Sequence, residues 1–214
     1  MPPERARLSE GATALGVGLS EQQLDALLGY LALLAKWNRV YNLTAVRDPS
    51  AMLVQHLLDS LAVVSPLRRW AGDAPKRVLD VGSGAGLPGF VIAVAMPTLD
   101  VTCVDAVGKK ASFVRQAAAE LRVHNLHAVH SRVEALTEPP FDLITSRAFA
   151  TLADFVALTR DRLAPDGVWL AMKGKSPSDE IDVLPQEIDV FHVEQIDVPG
   201  LDADRCLVWM RERR

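Results

Sequence analysis

Apolar residues recur along the chain at two spacings, which predict where the helices and the strands lie. Leucines three or four positions apart run from Leu24 to Leu34 and from Leu53 to Leu61, as in helices with one buried face. Further along, short apolar runs alternate with longer amphipathic stretches. The runs that predict strands are residues 78–81, 99–104, 128–130, 141–145 and 168–172. Strands that alternate with helices predict a parallel sheet with right-handed crossovers.

Two helices are predicted ahead of the first strand. The capping box Ser20–Gln23 starts the first helix, which ends near Trp37. Asp48–Pro49 starts the second helix, with the carboxylate as N-cap and proline at the first helical position, and Pro66 ends it. The small and polar residues 1–19 are assigned no firm structure.

Neither amphipathic helix can bury its apolar face alone, so both are expected to pack against the later part of the chain. We therefore predict a helical extension at residues 1–70, packed on a core domain at residues 71–214. The last two strands of that domain, near residues 190–196 and 206–210, are joined by a connection of hairpin length. A closing antiparallel pair is typical of class I methyltransferases, whereas a typical dehydrogenase continues with parallel units.

The segment Arg77–Gly89 combines the first strand with a glycine-rich turn and the start of a helix. It reads RVLDVGSGAGLPG, and a second apolar run begins at Phe90. Glycines let a ligand lie against bare backbone, where free N–H groups and the helix N-terminus face it. Gly84, Gly86 and Gly89 also have the spacing of the dinucleotide fingerprint, so the glycines alone do not identify the ligand.

Two carboxylates narrow the choice of ligand. Asp105 lies 19 residues after Gly86, near the spacing expected of a carboxylate that accepts hydrogen bonds from ribose hydroxyls. Asp80 precedes the glycine turn, where a carboxylate favours the cationic ammonium and sulfonium of S-adenosylmethionine and repels a pyrophosphate. We therefore predict S-adenosylmethionine as the cofactor, with Asp80, Gly82, Gly84, Gly86 and Asp105 among the residues that bind it.

Polar residues stand at the ends of five predicted strands. Ligands of parallel sheets bind beyond the carboxyl ends of the strands, so we expect these residues to line a single cleft. They are Asp80, Gly82, Asp105, Arg132–Glu134, Ser146–Arg147 and Lys173.

Composition and charge are those of an ordinary cytoplasmic protein. The 214 residues are 49% hydrophobic, and no apolar run approaches the roughly 20 residues of a membrane span. Cys103 and Cys206 lie in apolar runs and are expected to be reduced core residues. The net charge of −4 is concentrated in residues 176–214, which hold 4 Lys/Arg and 10 Asp/Glu against 19 and 17 in residues 1–175. This distribution permits a basic face that binds RNA. We expect a monomer without a metal or a membrane partner.

Two groups of polar residues in the N-terminal part have more than one interpretation. His56 and Asp59 are three positions apart and share a helix face. A structural hydrogen bond to the neighbouring domain is the favoured interpretation, and a metal or acid–base pair is the alternative. The stretch Trp37–Thr44 is either a surface for RNA or a polar corner between helices.

Five blocks of the sequence together carry a resemblance. They are residues 37–44 (WNRVYNLT), 56–60 (HLLDS), 80–89 (DVGSGAGLPG), 131–134 (SRVE) and 146–150 (SRAFA). With these blocks the chain resembles the RsmG (GidB) family over about residues 20–210. The members of this family are bacterial methyltransferases that use S-adenosylmethionine to modify N7 of a guanine in 16S ribosomal RNA, in the 530-loop region of the small subunit.

The resemblance implies a fold and a set of cofactor contacts. The fold is α/β, with the Rossmann-like sheet of class I S-adenosylmethionine-dependent methyltransferases, mostly parallel with an antiparallel C-terminal strand, and an N-terminal helical extension. Gly82 and Leu87 line the methionine and ribose part of the cofactor. Residues Arg132–Glu134 lie at its adenine, with Val133 and Glu134 flanking the ring, and Arg147 reaches it from the fourth strand.

The chemistry of the implied reaction explains why no catalytic triad is found. Guanine N7 carries a lone pair and no proton, so the enzyme must only hold N7 and the methyl group in line at about 3 Å. Arg and Lys donors suit the neighbouring O6 acceptor. We predict Arg147 and Lys173 as catalytic residues, and Arg132, Lys173 and Arg205 as RNA-binding residues. The extruded base is expected to need an aromatic or Arg platform that the sequence does not identify.

Two other functions remain open at this stage. A nicotinamide-dependent oxidoreductase uses the same kind of glycine turn. A ribosome-assembly factor would bind the cofactor and RNA without turnover.

Overall fold

The computed structural model describes residues 3–72, 74–175 and 177–213. These residues form a seven-stranded sheet with the order β3-β2-β1-β4-β5-β7-β6. Strands β1 to β5 are parallel, and β7 is antiparallel to its neighbours β5 and β6. This arrangement confirms the predicted mostly parallel sheet with an antiparallel C-terminal strand. The strands are β1 (Arg77–Val81), β2 (Asp100–Asp105), β3 (Leu126–His130), β4 (Phe141–Arg147), β5 (Leu163–Lys173), β6 (Ile188–Ile196) and β7 (Arg205–Glu212).

The helices begin where the sequence offers N-caps. Ser20 and Gln23 form the predicted capping box, and the Asp48 carboxylate accepts a hydrogen bond from the Ala51 N–H. A π-helical turn, Leu53–Leu58, interrupts the second predicted helix. The α-helices are α1 (Pro3–Ala14), α2 (Glu21–Tyr41), α3 (Pro49–Met52), α4 (Asp59–Leu61), α5 (Val64–Ala71), α6 (Gly89–Ala95), α7 (Gly108–Glu120), α8 (Leu152–Thr159) and α9 (Ser178–Asp182).

In the N-terminal part the structure adds one helix, in a region that had no firm assignment, and one expectation, the helix end at Pro66, is wrong. The described part of residues 1–19 contains helix α1, which buries little more than Leu8, Gly11 and Ala12 and therefore has no apolar stripe to reveal it. Its Gly11 lets Leu58 approach closely, because a Cβ there would lie 2.6 Å from a Leu58 methyl group. Pro66 does not end a helix but lies in the first turn of α5, where its missing N–H has no intrahelical partner to lose.

The core forms two layers because side chains alternate along the strands. On β1, Val78 packs with the N-terminal helices, α6 and α7, whereas Leu79 packs with α8 on the opposite face. The first layer extends from Leu8 in α1 to Trp209 in β7, so the helical extension and the sheet share one apolar cluster. The boundary at residue 70 stays a prediction.

The continuous helical segment Pro49–Ala71 has the length and apolar composition that a membrane span would need. However, 78% of its most apolar window is buried inside the protein. Within this fold it therefore serves as a core helix, and its inner residues Leu57 and Leu61 are fully buried.

Candidate active site

Two adjoining cavities open at the carboxyl ends of the parallel strands. The first cavity, of about 500 Å³, lies between the glycine turn, the π-helical turn and the ends of β4 and β5. The second cavity, of about 350 Å³, lies between the ends of β1, β2 and β3. Gly82 and Ala148 line both cavities, so the two cavities lie side by side at the end of the sheet. Of the residues predicted at strand ends, Gly82, Arg147 and Lys173 line the first cavity, and Gly82, Asp105 and Arg132–Glu134 line the second.

The glycine turn presents bare backbone at one position. A Cβ added to Gly84 would have no atom within 4 Å, so the space beside this residue is open. Its φ of +60° is a left-handed conformation that residues with side chains rarely adopt. The residue lines the first cavity. This cradle, which any side chain would fill, fits a ligand that lies directly on the backbone.

Asp105 is held at the tip of β2 by the turn itself. Its Oδ2 accepts a hydrogen bond of 2.9 Å from the Gly84 N–H, and its Oδ1 accepts one of 2.8 Å from the Val107 N–H. The Lys110 ammonium lies 3.7 Å away. The carboxylate lines the second cavity together with Arg132, Val133 and Glu134. Each carboxylate oxygen has a second lone pair, so Asp105 is an oriented acceptor for ligand hydroxyls.

Asp80 does not line either cavity, and its contact with the cofactor stays a prediction. The residue is fully buried beneath the glycine turn. Its Oδ2 accepts a hydrogen bond of 2.8 Å from the Gly89 N–H at the start of α6, and its Oδ1 has no partner. Burial raises the pKa of this carboxyl to about 7. Asp80 therefore supports the turn from below, at the positive end of a helix.

Gly86 does not line either cavity. Glycine is required at this position because a side chain would collide with the packing of the turn. Its φ is +88°, and a Cβ there would lie 2.8 Å from the Val114 side chain of α7. The turn is further supported by Tyr30 of α2, whose hydroxyl donates a hydrogen bond of 2.8 Å to the Ala85 carbonyl. The Tyr30 ring stacks on Phe90 with 4.4 Å between the centroids. Tyr30 is a supporting residue that the leucine spacing of this helix did not reveal.

Asp59 joins the helical extension to two strands of the core. Its side chain is 2% exposed, and it accepts hydrogen bonds of 2.9 Å from Arg147 at the end of β4 and 2.7 Å from Arg205 at the start of β7. All three residues line the first cavity. The predicted site residues Arg147 and Arg205 are therefore brought together by a carboxylate from outside the sheet.

The π-helical turn supplies a further acceptor for Arg147. The Asp59 N–H donates to the carbonyls of Val54 and His56, and the Gln55 carbonyl accepts a hydrogen bond of 2.8 Å from Arg147. Gln55 also lines the first cavity. The wide turn thus directs a backbone carbonyl at the site, a use that single π-helical turns often have.

His56 is buried in the wall of the first cavity. Its Nε2 lies 3.0 Å from Thr44 Oγ1, and burial, together with the nearby Arg147 charge, lowers the pKa of its ring to about 4. Asp59 thus contacts the core domain, as the favoured interpretation expects, whereas His56 contacts Thr44 within the N-terminal part. Among the described residues, no three His, Cys, Asp or Glu side chains are grouped so that they could hold a metal ion.

Lys173 lines the first cavity, but its ammonium group is already occupied. It donates hydrogen bonds of 2.8 and 3.0 Å to the Glu180 carboxylate and one of 3.0 Å to the Ala150 carbonyl. These three bonds use the three N–H donors of the group. In this structure the Lys173 ammonium therefore has no free donor for its predicted roles in catalysis and RNA binding. The lysine instead fixes the loop after β4, and Glu180, which the sequence did not reveal, also accepts from the Leu152 N–H.

The loop after β4 brings an aromatic ring to the junction of the two cavities. Ala148 has a left-handed φ of +55°, and the Phe149 ring lies directly against Gly82. Phe149 lines the second cavity beside Leu158. The ring occupies the position that a Gly82 side chain would need, which explains why glycine is required there.

Taken with the sheet order and the glycine turn, these cavities define a class I S-adenosylmethionine-dependent methyltransferase fold. A glycopeptide N-methyltransferase, MtfA, in complex with S-adenosylmethionine shares the fold with a TM-score of 0.58 at 13% identity, over 74% of this chain and 95% of that one. A methyltransferase from Geobacter sulfurreducens in complex with S-adenosyl-L-homocysteine gives 0.52 at 15% identity, over 72% of this chain and 90% of that one.

The sequence relatives are much closer. The family described as rRNA small subunit methyltransferase G (GidB) matches residues 23–208, and the chain belongs to this family. The ribosomal RNA small subunit methyltransferase G of Leptothrix cholodnii is 64% identical over 213 residues, which cover 100% of this chain and 98% of the relative. The predicted family resemblance is thereby confirmed.

Proposed function

We propose that this protein transfers a methyl group from S-adenosylmethionine to N7 of a guanine in 16S ribosomal RNA, in the 530-loop region of the small subunit. The observation that carries the proposal is the pair of adjoining cavities in a chain of this family. The Asp105 carboxylate of the second cavity and the bare backbone of Gly84 in the adjoining first cavity form one set of groups, and the two guanidinium groups of the first cavity form another. The first set suits a nucleoside with an amino-acid tail, and the second suits a base edge or a phosphate.

The cofactor is assigned to the second cavity and the adjoining part of the first. Asp105 accepts hydrogen bonds from the ribose hydroxyls, and Val133 and Glu134 flank the adenine. Gly82 and Leu87 line the methionine part, where the open space at Gly84 admits the ligand. When bound, S-adenosylmethionine supplies an electrophilic methyl group and leaves as S-adenosylhomocysteine.

The guanine is assigned to the first cavity, where Arg147 and Arg205 donate hydrogen bonds to O6 or to a phosphate. Asp59 fixes both side chains, so that little reorganisation accompanies binding. No residue has to remove a proton, because N7 attacks with its lone pair. The purine becomes cationic as N7 is alkylated. The neutral ring of His56, whose pKa is lowered to about 4, adds no opposing charge at neutral pH.

The partner in this proposal is the small ribosomal subunit or its 16S RNA, and the reaction takes place in the cytoplasm. We propose that the protein acts as a monomer and needs neither a metal nor a membrane. Sedimentation of the purified protein tests the monomer, since a dimer would run at twice the 23.3 kDa of one chain.

Methylation with labelled cofactor tests the proposal. Small subunits are incubated with the protein and labelled S-adenosylmethionine, and the modified base is mapped by chain cleavage at 7-methylguanine. Label at one guanine of the 530-loop region is expected. Stoichiometric binding of cofactor and subunits without label in the RNA would favour an assembly factor. Tight binding of NAD without binding of S-adenosylmethionine would favour an oxidoreductase.

A further inference from the structure

The stretch Trp37–Thr44 divides into residues that build the fold and residues that do not. Asn38 is buried, and its Oδ1 accepts a hydrogen bond of 2.9 Å from the Thr44 N–H. Asn42 ends α2 in a left-handed conformation, with φ +49°. Thr44 in turn contacts His56 in the cavity wall. These polar residues form the corner between the helices and pin its loop to the first cavity.

Other residues in this segment, and the cations on either side of it, face solvent. Val40 is 71% exposed and Tyr41 is 42% exposed. Lys36 and Arg39 are exposed and make no hydrogen bond or ion pair with any described residue. Arg47 is exposed too, and its one contact is a hydrogen bond of 3.4 Å to Asn42. We call Lys36, Arg39, Tyr41 and Arg47 the basic corner.

The charge and position of the basic corner identify the kind of partner it fits. Residues 36–47 hold three cations and no Asp or Glu, in a chain whose net charge is −4. Leu43 and Thr44, which lie within the same segment, line the first cavity. The Tyr41 ring is held by Trp37, with 5.1 Å between the centroids, and Trp37 is held by Phe113 of α7. An exposed ring held by a second ring, in a segment that also carries exposed cations, suits stacking on an unpaired base of a strand whose phosphates those cations neutralise.

We propose that the basic corner binds the ribosomal RNA strand next to the target guanine. Lys36, Arg39 and Arg47 neutralise phosphates, and Tyr41 stacks on a neighbouring base while the guanine occupies the first cavity. This inference rests on the proposed function, because it takes the first cavity as the guanine site. It also explains how one segment serves as both the polar corner and the RNA surface that the sequence left as alternatives.

The salt dependence of RNA binding tests the proposal. The full-length protein and its Lys36→Ala/Arg39→Ala variant are titrated with deproteinised 16S RNA and with small subunits at several KCl concentrations. Each phosphate contact that is lost reduces the slope of log K against log salt by about 0.7 to 0.9. We expect the slope to fall by about 1.5 with both substrates. The KM for RNA rises about tenfold or more, and kcat is largely retained.

Arg122→Ala is the matched control. Arg122 is exposed and unpaired among the described residues, but it follows the C-terminus of α7 and lies beside the start of α2, whereas the basic corner lies at the end of that helix. The control and the double variant should bind S-adenosylmethionine like the wild type. Tyr41→Ala should weaken RNA binding without changing the slope, because stacking releases no counterions.

Three outcomes would overturn the proposal: an unchanged slope in the double variant, an equal change in Arg122→Ala, or a loss seen with intact subunits but not with deproteinised RNA. The last result would mean that the basic corner faces a ribosomal protein. Failure of the proposed function has a different signature, in which the wild type binds RNA with a steep salt dependence but transfers no methyl group.

Discussion

Asp59 and Arg147 form a hydrogen-bonded ion pair of 2.9 Å although 88 positions separate them in the chain. Arg205, 146 positions from Asp59, completes the arrangement at 2.7 Å. One carboxylate from the helical extension thereby fixes two cations from different strands. The N-terminal helices thus supply part of the wall of the first cavity and do not only cover the sheet.

Asp59→Asn should impair methyl transfer more than cofactor binding. The amide keeps the size of the side chain but removes the charge that holds both arginines, so we expect kcat/KM to fall about tenfold or more. Stability should fall by about 2 kcal/mol, less than for a fully buried pair because both arginines are partly exposed. Methylation kinetics, calorimetry with S-adenosylmethionine and urea unfolding measure the three quantities.

Asp189→Asn is the control for this variant, because it breaks a surface ion pair with Arg211 far from the cavities. It should change stability by less than about 1 kcal/mol and leave methylation intact. Normal kcat/KM in Asp59→Asn would contradict a positioning role for the carboxylate.

Asp105→Ala should weaken the binding of S-adenosylmethionine at least about tenfold, because it removes a charged acceptor from the second cavity. Calorimetry with the purified protein measures the affinity. Asp100→Ala, at the exposed other end of the same strand, is the matched control and should bind normally. Near-normal affinity in Asp105→Ala would remove this residue from the cofactor site.

Much of the fold could be predicted from the sequence because its signals are local. Apolar runs, glycines and N-caps specified the parallel strands, the glycine turn and the starts of α2 and α3. Helix α1 was missed because its few buried residues follow no stripe, and its contact with Leu58 depends on Gly11. Pro66 does not end a helix because a turn at residues 62–63 comes before it and α5 begins at Val64, which places the proline in a first helical turn.

The site could be predicted as a set of strand ends, but the direction of each side chain could not. Asp80 and Lys173 stand at the predicted strand ends, yet one points beneath the turn and the other is bound by Glu180. Such facts depend on contacts between distant parts of the chain. The same holds for Tyr30, whose hydroxyl reaches Ala85 across 55 positions.

Gly84→Ala and Gly86→Ala should separate cofactor binding from stability. Both positions have a left-handed φ, so both substitutions strain the backbone by about 1 kcal/mol. At position 84 the new Cβ enters open space that the ligand would use, whereas at position 86 it meets Val114 at 2.8 Å. We therefore expect Gly84→Ala to bind the cofactor more weakly while its Tm changes little. We expect Gly86→Ala to have a larger decrease in Tm.

Thermal unfolding with and without S-adenosylmethionine measures this difference. The wild type and Gly86→Ala should both gain Tm on addition of the ligand, because a ligand that binds only the native state stabilises it. A full ligand-induced shift in Gly84→Ala would show that the cofactor does not lie on this part of the turn.

Lys173→Met and Glu180→Gln should have similar consequences, because both break the contact that holds the loop after β4. Direct catalysis by the lysine would instead make Lys173→Met much the more harmful change. We expect both variants to lower kcat/KM for RNA by comparable factors, measured in the same methylation assay. A large loss confined to Lys173→Met would restore the predicted catalytic role.

Asp80 should make stability depend on pH in a direction unusual for a carboxylate. Its native pKa, about 7, lies above the ordinary value of 3.8, so the native state holds the proton more tightly than the unfolded chain. The contribution of the protonated Asp80 carboxyl to the unfolding free energy is fully present below about pH 4 and is lost as the pH rises through about 7. Relative to Asp80→Asn, the wild type should therefore lose about 2 kcal/mol of unfolding free energy between pH 5 and 7. Urea unfolding of the cofactor-free proteins at several pH values measures this difference, and a difference that stays constant with pH would show that the carboxyl is already ionised in the native state.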